Sequence, residues 1–211
     1  MENQQTYIEE MLNSISHGIA AIASIIGFIA LIIFTSSHQE WMLFSTIVYG
    51  MSLIILYTSS ALYHGSRNKK MKQVFRILDH CSIFVLIAGT YTPVLLISIG
   101  GSIGWWIFGI QWTLALMGFI FKFFYTGKHE SISILIYIIM GWMITVKWNY
   151  LTNAISDSAF NLLLAGGIIY TIGIFFYILD SKIKYFHFIW HLFVIAGSTL
   201  HYIMIFKYVA N

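Results

Sequence analysis

Charge is scarce in this sequence. Asp, Glu, Lys and Arg make up 9% of its 211 residues, against about 25% in a soluble domain, which excludes a soluble globular fold before any segment is drawn. The one cysteine, Cys81, cannot form an internal disulfide, and its place in an apolar run reads as that of a small core hydrophobe. The one proline, Pro93, also lies in an apolar run. A secretory signal is not expected either, because Glu2, Glu9 and Glu10 stand where its basic region would be. The first apolar run is therefore expected to stay in the mature protein. What is abundant is apolar: 59% of residues are hydrophobic and 18% aromatic, the composition of a membrane protein. The net charge of +3 then carries topological meaning rather than pointing to acidic partners or nucleic acid.

Charges and turn residues cut the chain into seven apolar segments, near 14–35, 42–64, 77–98, 103–124, 131–150, 158–179 and 186–208, each close to the roughly 20 residues that a spanning helix needs. The expected fold is an all-α bundle of seven transmembrane helices, forming one domain over residues 1–211. The third and fourth segments share an uncharged tract, 80–121, that breaks at Gly100-Gly101-Ser102-Ile103-Gly104. Pro93 removes one backbone hydrogen bond within the third and predicts a kink. Gly166, Gly167 and Gly173 predict close approach of a neighbour to the sixth. Trp41, Trp105 and Trp148 near segment ends read as an interfacial belt. Nine of the eleven Lys and Arg residues, from Arg67 to Lys184, fall in the loops after segments two, four and six, leaving only Lys147 and Lys207 opposite. The positive-inside rule then places the N-terminus in the cytoplasm and the C-terminus outside.

Polar residues inside the segments converge in depth. His187 and His191 are four apart, hence on one helical face, in a stretch, 185–206, without a single Asp, Glu, Lys or Arg. Ser60 and His64, also four apart, close the second segment at the same side, and Asp79 lies in the first turn of the third. Ionisable groups in a bilayer cost about 2.5–3.5 kcal/mol each and are functional candidates by default. Three imidazoles and an open fourth position suit a catalytic zinc, whereas structural sites close all four. The candidate ligands are His64, His187 and His191. No glutamate separates His187 from His191 as in the His-Glu-x-x-His helix, so Asp79 is expected to be the base for the metal-bound water and Ser60 to hydrogen-bond that water or an oxyanion.

Each residue taken alone has a plainer reading. The histidines can bond backbone at the interface, Asp79 can answer the helix dipole, and Ser60 can bond its own helix. Their common depth favours the site. His201 is ten residues beyond His191, about 15 Å along the axis, too far to share its metal. His80 points about 100° away from Asp79 on its helix, a position for a structural role or for supporting a ligand from behind, and His38 and His129 fall in loops. His17 can approach the site but has no spacing that ties it there.

The chain resembles the haemolysin III and progestin/adipoQ receptor (PAQR) group of membrane proteins, and its bacterial haemolysin III branch in particular. The likeness rests on Glu10, Asn13 and His17 before the first segment, Ser60 to His64, Leu78-Asp79-His80 leading to Gly89-Thr90-Tyr91-Thr92-Pro93, and His187 to His191 with His201. It implies a cytoplasm-facing zinc on His64, His187 and His191 with Asp79 and Ser60 around its water, and Glu10, Asn13 and His17 supporting that end of the bundle. Adiponectin receptors of the group are credited with ceramidase activity. The expected function is a zinc-dependent hydrolase of a lipid amide or ester, in a bacterial plasma membrane, with a bilayer lipid as substrate. The alternatives are a pore-forming haemolysin, against which the outer halves of the segments show little polarity, and a receptor-like sensor with structural zinc. The long N-terminal region of the animal receptors does not precede the first segment, so a hormone-receptor role is not expected.

Overall fold

The computed structural model describes residues 5–35 and 39–210; the expectations for Glu2 and His38 fall outside them. No strand occurs among the described residues. Among the described residues seven helices are long and apolar enough to cross a membrane: α1 (Tyr7–Phe34), α2 (Met42–Gly65), α3 (Lys69–Ile99), α4 (Gly101–Tyr125), α5 (Glu130–Ala154), α6 (Asp157–Leu179) and α7 (Phe186–Tyr208). Ile22, Ile26, Ile29 and Ile33 of α1 stay exposed at helical spacing, the outer face that a lipid solvent requires. The core runs instead between α2, α3 and α7, through Tyr49, Leu53, Tyr57, Leu86, Val94, Val194 and Met204.

At the end carrying the N-terminus the helices outrun the apolar segments because local caps start them early. Thr6 and Glu9 form a capping box, the Thr6 hydroxyl accepting the Glu9 N–H at 3.3 Å and the Glu9 carboxylate accepting the Thr6 N–H at 2.8 Å. Asn68 caps α3, its side-chain oxygen accepting from the N–H groups of Lys70 and Met71. This start corrects the expectation for Asp79. It lies ten residues past Lys69, in the third turn rather than the first, where the helix dipole no longer favours a negative charge.

The break between α3 and α4 falls at the predicted glycines, with Gly100 and Gly101 at φ +60° and +57°, a region glycine enters without penalty. Just after Pro93 the helix widens into a π-helical turn over Val94–Ile99, and the Gly100 N–H closes it on the Leu95 carbonyl at 2.9 Å. Gly104 packs so tightly on that carbonyl that a Cβ would overlap it. α5 departs from a single regular helix, tightening to 3-10 over Met143–Lys147 before Trp148–Ala154. Side chains of α3 and α4 take its carbonyls there: Gln111 donates to Met140 O at 3.0 Å and Tyr91 donates to Gly141 O.

Gly166 lies against His201, and Gly173 against Trp190 and Phe193, the close helix approach predicted for them. Gly167 meets open space. Lys122, read as a loop charge, is inside α4 and fully buried, its Nζ 2.5 Å from Glu130 of α5. Tyr177 of α6 donates to the same carboxylate at 3.0 Å, so the buried cation has the partner it requires.

Candidate metal centre

His64 ends α2, and His187 and His191 occupy the first two turns of α7. The structure brings the three together: one ring nitrogen from each lies within 4.8 Å of the other two, with ring centroids 5.0, 5.0 and 4.8 Å apart. His64 and His191 are buried and His187 half-buried. In each ring, Nδ1 has a partner. That of His64 is 2.8 Å from Glu10 Oε2, that of His187 2.7 Å from Asp180 Oδ2, and that of His191 3.4 Å from the Ser16 hydroxyl. The other nitrogen of His64 is buried with no hydrogen-bond partner. An orphaned acceptor amid three convergent imidazoles is a donor set that fits zinc, which favours imidazole nitrogen and accepts a tetrahedral site with one position open.

Asp79 and Ser60 line the same cavity as His187 and His191, and the Ser60 hydroxyl is in hydrogen-bonding reach of the Asp79 carboxylate. His80 stands beside Asp79, Nδ1 to Oδ2 3.6 Å, but donates its Nδ1–H to Arg76 O at 2.8 Å, a structural bond. His201 bonds Leu163 O through Nε2 at 3.1 Å, remote from the cluster. His129 is exposed at the start of α5.

His17 is nearer than its sequence position suggested. Its ring stacks on His191 with centroids 3.6 Å apart and planes at 8°, and both its nitrogens are buried without partners. The resemblance placed it as a support of this end of the bundle and spacing did not tie it to the cluster, yet a signal exists. Glu9, Asn13 and His17 recur every four residues and are all buried, a polar stripe on a spanning helix that must face protein. Asp180, at the end of α6, has no comparable signature.

The cavity runs from this cluster along α7 to His201, bounded by Tyr91, Gly141, Gly167 and Tyr170. His187 and His201 are fourteen residues apart on one helix, roughly 21 Å along its axis, so the cavity is long. Ile138 of α5 and Thr171 of α6 both line it and are exposed on the bundle's outside. It therefore opens sideways, between α5 and α6.

Seven apolar helices with a metal-competent histidine cluster at one end define a multi-pass integral membrane protein. The profile of the haemolysin-III related family matches residues 5–202, and the chain belongs to that family. It is 45% identical to Hemolysin-3 of Bacillus cereus over 202 residues, 95% of this chain and 92% of that protein. Against the Hemolysin-3 homolog of Bacillus subtilis (strain 168) it is 40% identical over 204 residues, 96% and 95% of the two chains. A human relative, Monocyte to macrophage differentiation factor, is 27% identical over 208 residues, 96% of this chain and 85% of that one.

Proposed function

We propose that this protein is a zinc-dependent hydrolase of a lipid amide or ester in the plasma membrane of a bacterium, with its site at the cytoplasmic end of the bundle. The observation that carries the reading is the convergence of His64, His187 and His191 within 4.8 Å at the head of a long, laterally open cavity. A lipid fits that geometry. Its tails can enter from the bilayer between α5 and α6 while the scissile bond reaches the polar end. His64, His187 and His191 would hold the metal; when bound, zinc supplies Lewis acidity that makes water a nucleophile near neutral pH.

The chain's own groups do the rest. Asp79 takes the proton of the attacking water and returns it to the leaving amine or alkoxide, the general base and then acid of an acyl transfer. Ser60 donates its one hydroxyl hydrogen to the Asp79 carboxylate at rest, and is free to turn it toward the oxyanion once Asp79 has taken the water's proton. The bundle excludes bulk water from the cavity, which strengthens both interactions.

A second reading draws on the names of the relatives called Hemolysin-3: a membrane-lytic protein. One experiment separates the two. Purified protein in liposomes of lipid amides and esters is assayed for released fatty acid and for leakage of an entrapped dye, wild type beside Asp79→Ala. The hydrolase reading expects product from wild type and almost none from the variant. Leakage equal in both, with no product from either, supports lysis and ends the hydrolase reading.

A further inference from the structure

We propose that Glu10 and Asp180 are positioning residues that hold His64 and His187 with Nε2 toward the common centre; this rests on reading the cluster as a metal site. A carboxylate beside an imidazole nitrogen accepts its N–H, which leaves the lone pair of a neutral ring on the opposite nitrogen. Glu10 does this to His64 at 2.8 Å, and Asp180 to His187 at 2.7 Å. The nitrogen that His64 leaves free is the buried one with no partner. His191 has no carboxylate there but the Ser16 hydroxyl, at a longer 3.4 Å, with the Asn13 backbone also in reach.

The Glu10 carboxylate is itself anchored, and Asp180 sits in an ordered turn. The second oxygen of Glu10 is 2.7 Å from Lys72 Nζ at the start of α3, so Glu10 ties α1 to α2 and α3 at once. Glu9, about 100° round the helix, accepts the Tyr185 N–H at 2.6 Å. Tyr185 has φ +64°, in a region a side chain enters only at some energetic penalty, and that bond fixes the turn from which α7 and His187 start. Asp180 caps the preceding helix, and the connection back to α7 is closed by the bonds of Lys182 N and Ile183 N to Leu179 O at 2.9 and 3.0 Å. Two adjacent acids of α1 and one from the α6–α7 turn thus set the orientation of two ligand rings. Of the two acids only Asp180 stands without a lysine or arginine partner among the described residues, the Glu10 charge being met by Lys72. Carboxylates so placed behind metal-bound histidines raise affinity by roughly 10–100-fold.

The test uses the full-length chain in detergent and zinc alone, its affinity read by competition with a chelator, for wild type, Glu10→Gln and Asp180→Asn. Each amide variant is near-isosteric, and each reports on its own histidine independently. Tyr202→Phe is the structural control, losing the hydroxyl that donates to Gly27 O at 2.9 Å far from the cluster. Both amide variants are expected to bind zinc roughly 10–100-fold more weakly and to shift the visible absorption of bound Co²⁺. The control lowers the melting temperature with affinity and spectrum unchanged. Wild-type affinity and an unshifted cobalt spectrum in both amide variants would overturn the positioning role while leaving the metal site intact. A wild-type chain that takes up neither zinc nor cobalt overturns the metal reading itself, a different result.

Discussion

A carboxylate inside a membrane helix is stabilised only by the groups around it, and Asp79 has Ser60, His187, His80 and the Arg76 cation. With the helix dipole removed as its explanation, Asp79 is left oriented toward the cluster. Asp79→Asn is expected to lower lipid hydrolysis by about 10²–10⁴-fold while zinc content stays at the wild-type level, measured by released fatty acid beside metal analysis. Metal lost along with activity would instead make Asp79 a support of the ligands. At this scale the sequence was informative where spacing is local. His187 and His191 were legible as a pair because they are four apart in a charge-free run. Glu10 and His64 are 54 residues apart, and no periodicity links them. His17 was legible only as one member of a buried polar stripe, which a search confined to the apolar segments leaves out, since the stripe starts ahead of the first one.

Elements are specified by apolar length and by their caps, and these two signals agree on the number of helices but differ on where they begin. The break at Gly100 and Gly101 was legible because glycine pairs in an uncharged tract have few other uses. The 3-10 stretch of α5 was not, because side chains of Gln111 and Tyr91 from other helices impose it. Two glycines give predictions here. At Gly104 an added Cβ meets the Leu95 carbonyl, a backbone atom that cannot step aside. Gly104→Ala is expected to destabilise the protein by about 1–3 kcal/mol, seen as a lower melting temperature in detergent. At Gly167 an added Cβ meets nothing within 4 Å, and the residue borders the cavity. Gly167→Leu is expected to fold normally yet lower turnover of long-chain substrates roughly 10-fold or more, with a smaller effect on short-chain ones. Equal loss on both would place the acyl chain elsewhere.

For the whole molecule, the scarcity of charge made the membrane assignment legible at once. It also makes each remaining charge hard to classify. Lys122, counted by its position among loop residues, is a buried ion-pair partner of Glu130 and carries no topological information. The other basic residues at the N-terminal end still predict that this end is cytoplasmic. A C-terminal alkaline phosphatase fusion should be active and a C-terminal green fluorescent protein fusion dark; the reverse pattern would put the histidine cluster on the outer side of the membrane and remove the cytoplasmic site.

The claim on which the rest depends is that α2 and α7 bring three histidines together as one metal site. The measurement that tests it most directly is metal content per chain in the purified, detergent-solubilised protein after zinc is supplied, wild type beside His187→Ala/His191→Ala. The geometry predicts about one zinc per wild-type chain and none retained in the double variant, a coordination set with two of its three protein ligands gone. Wild-type protein that stays metal-free, or a double variant that holds as much zinc as wild type, would contradict the account.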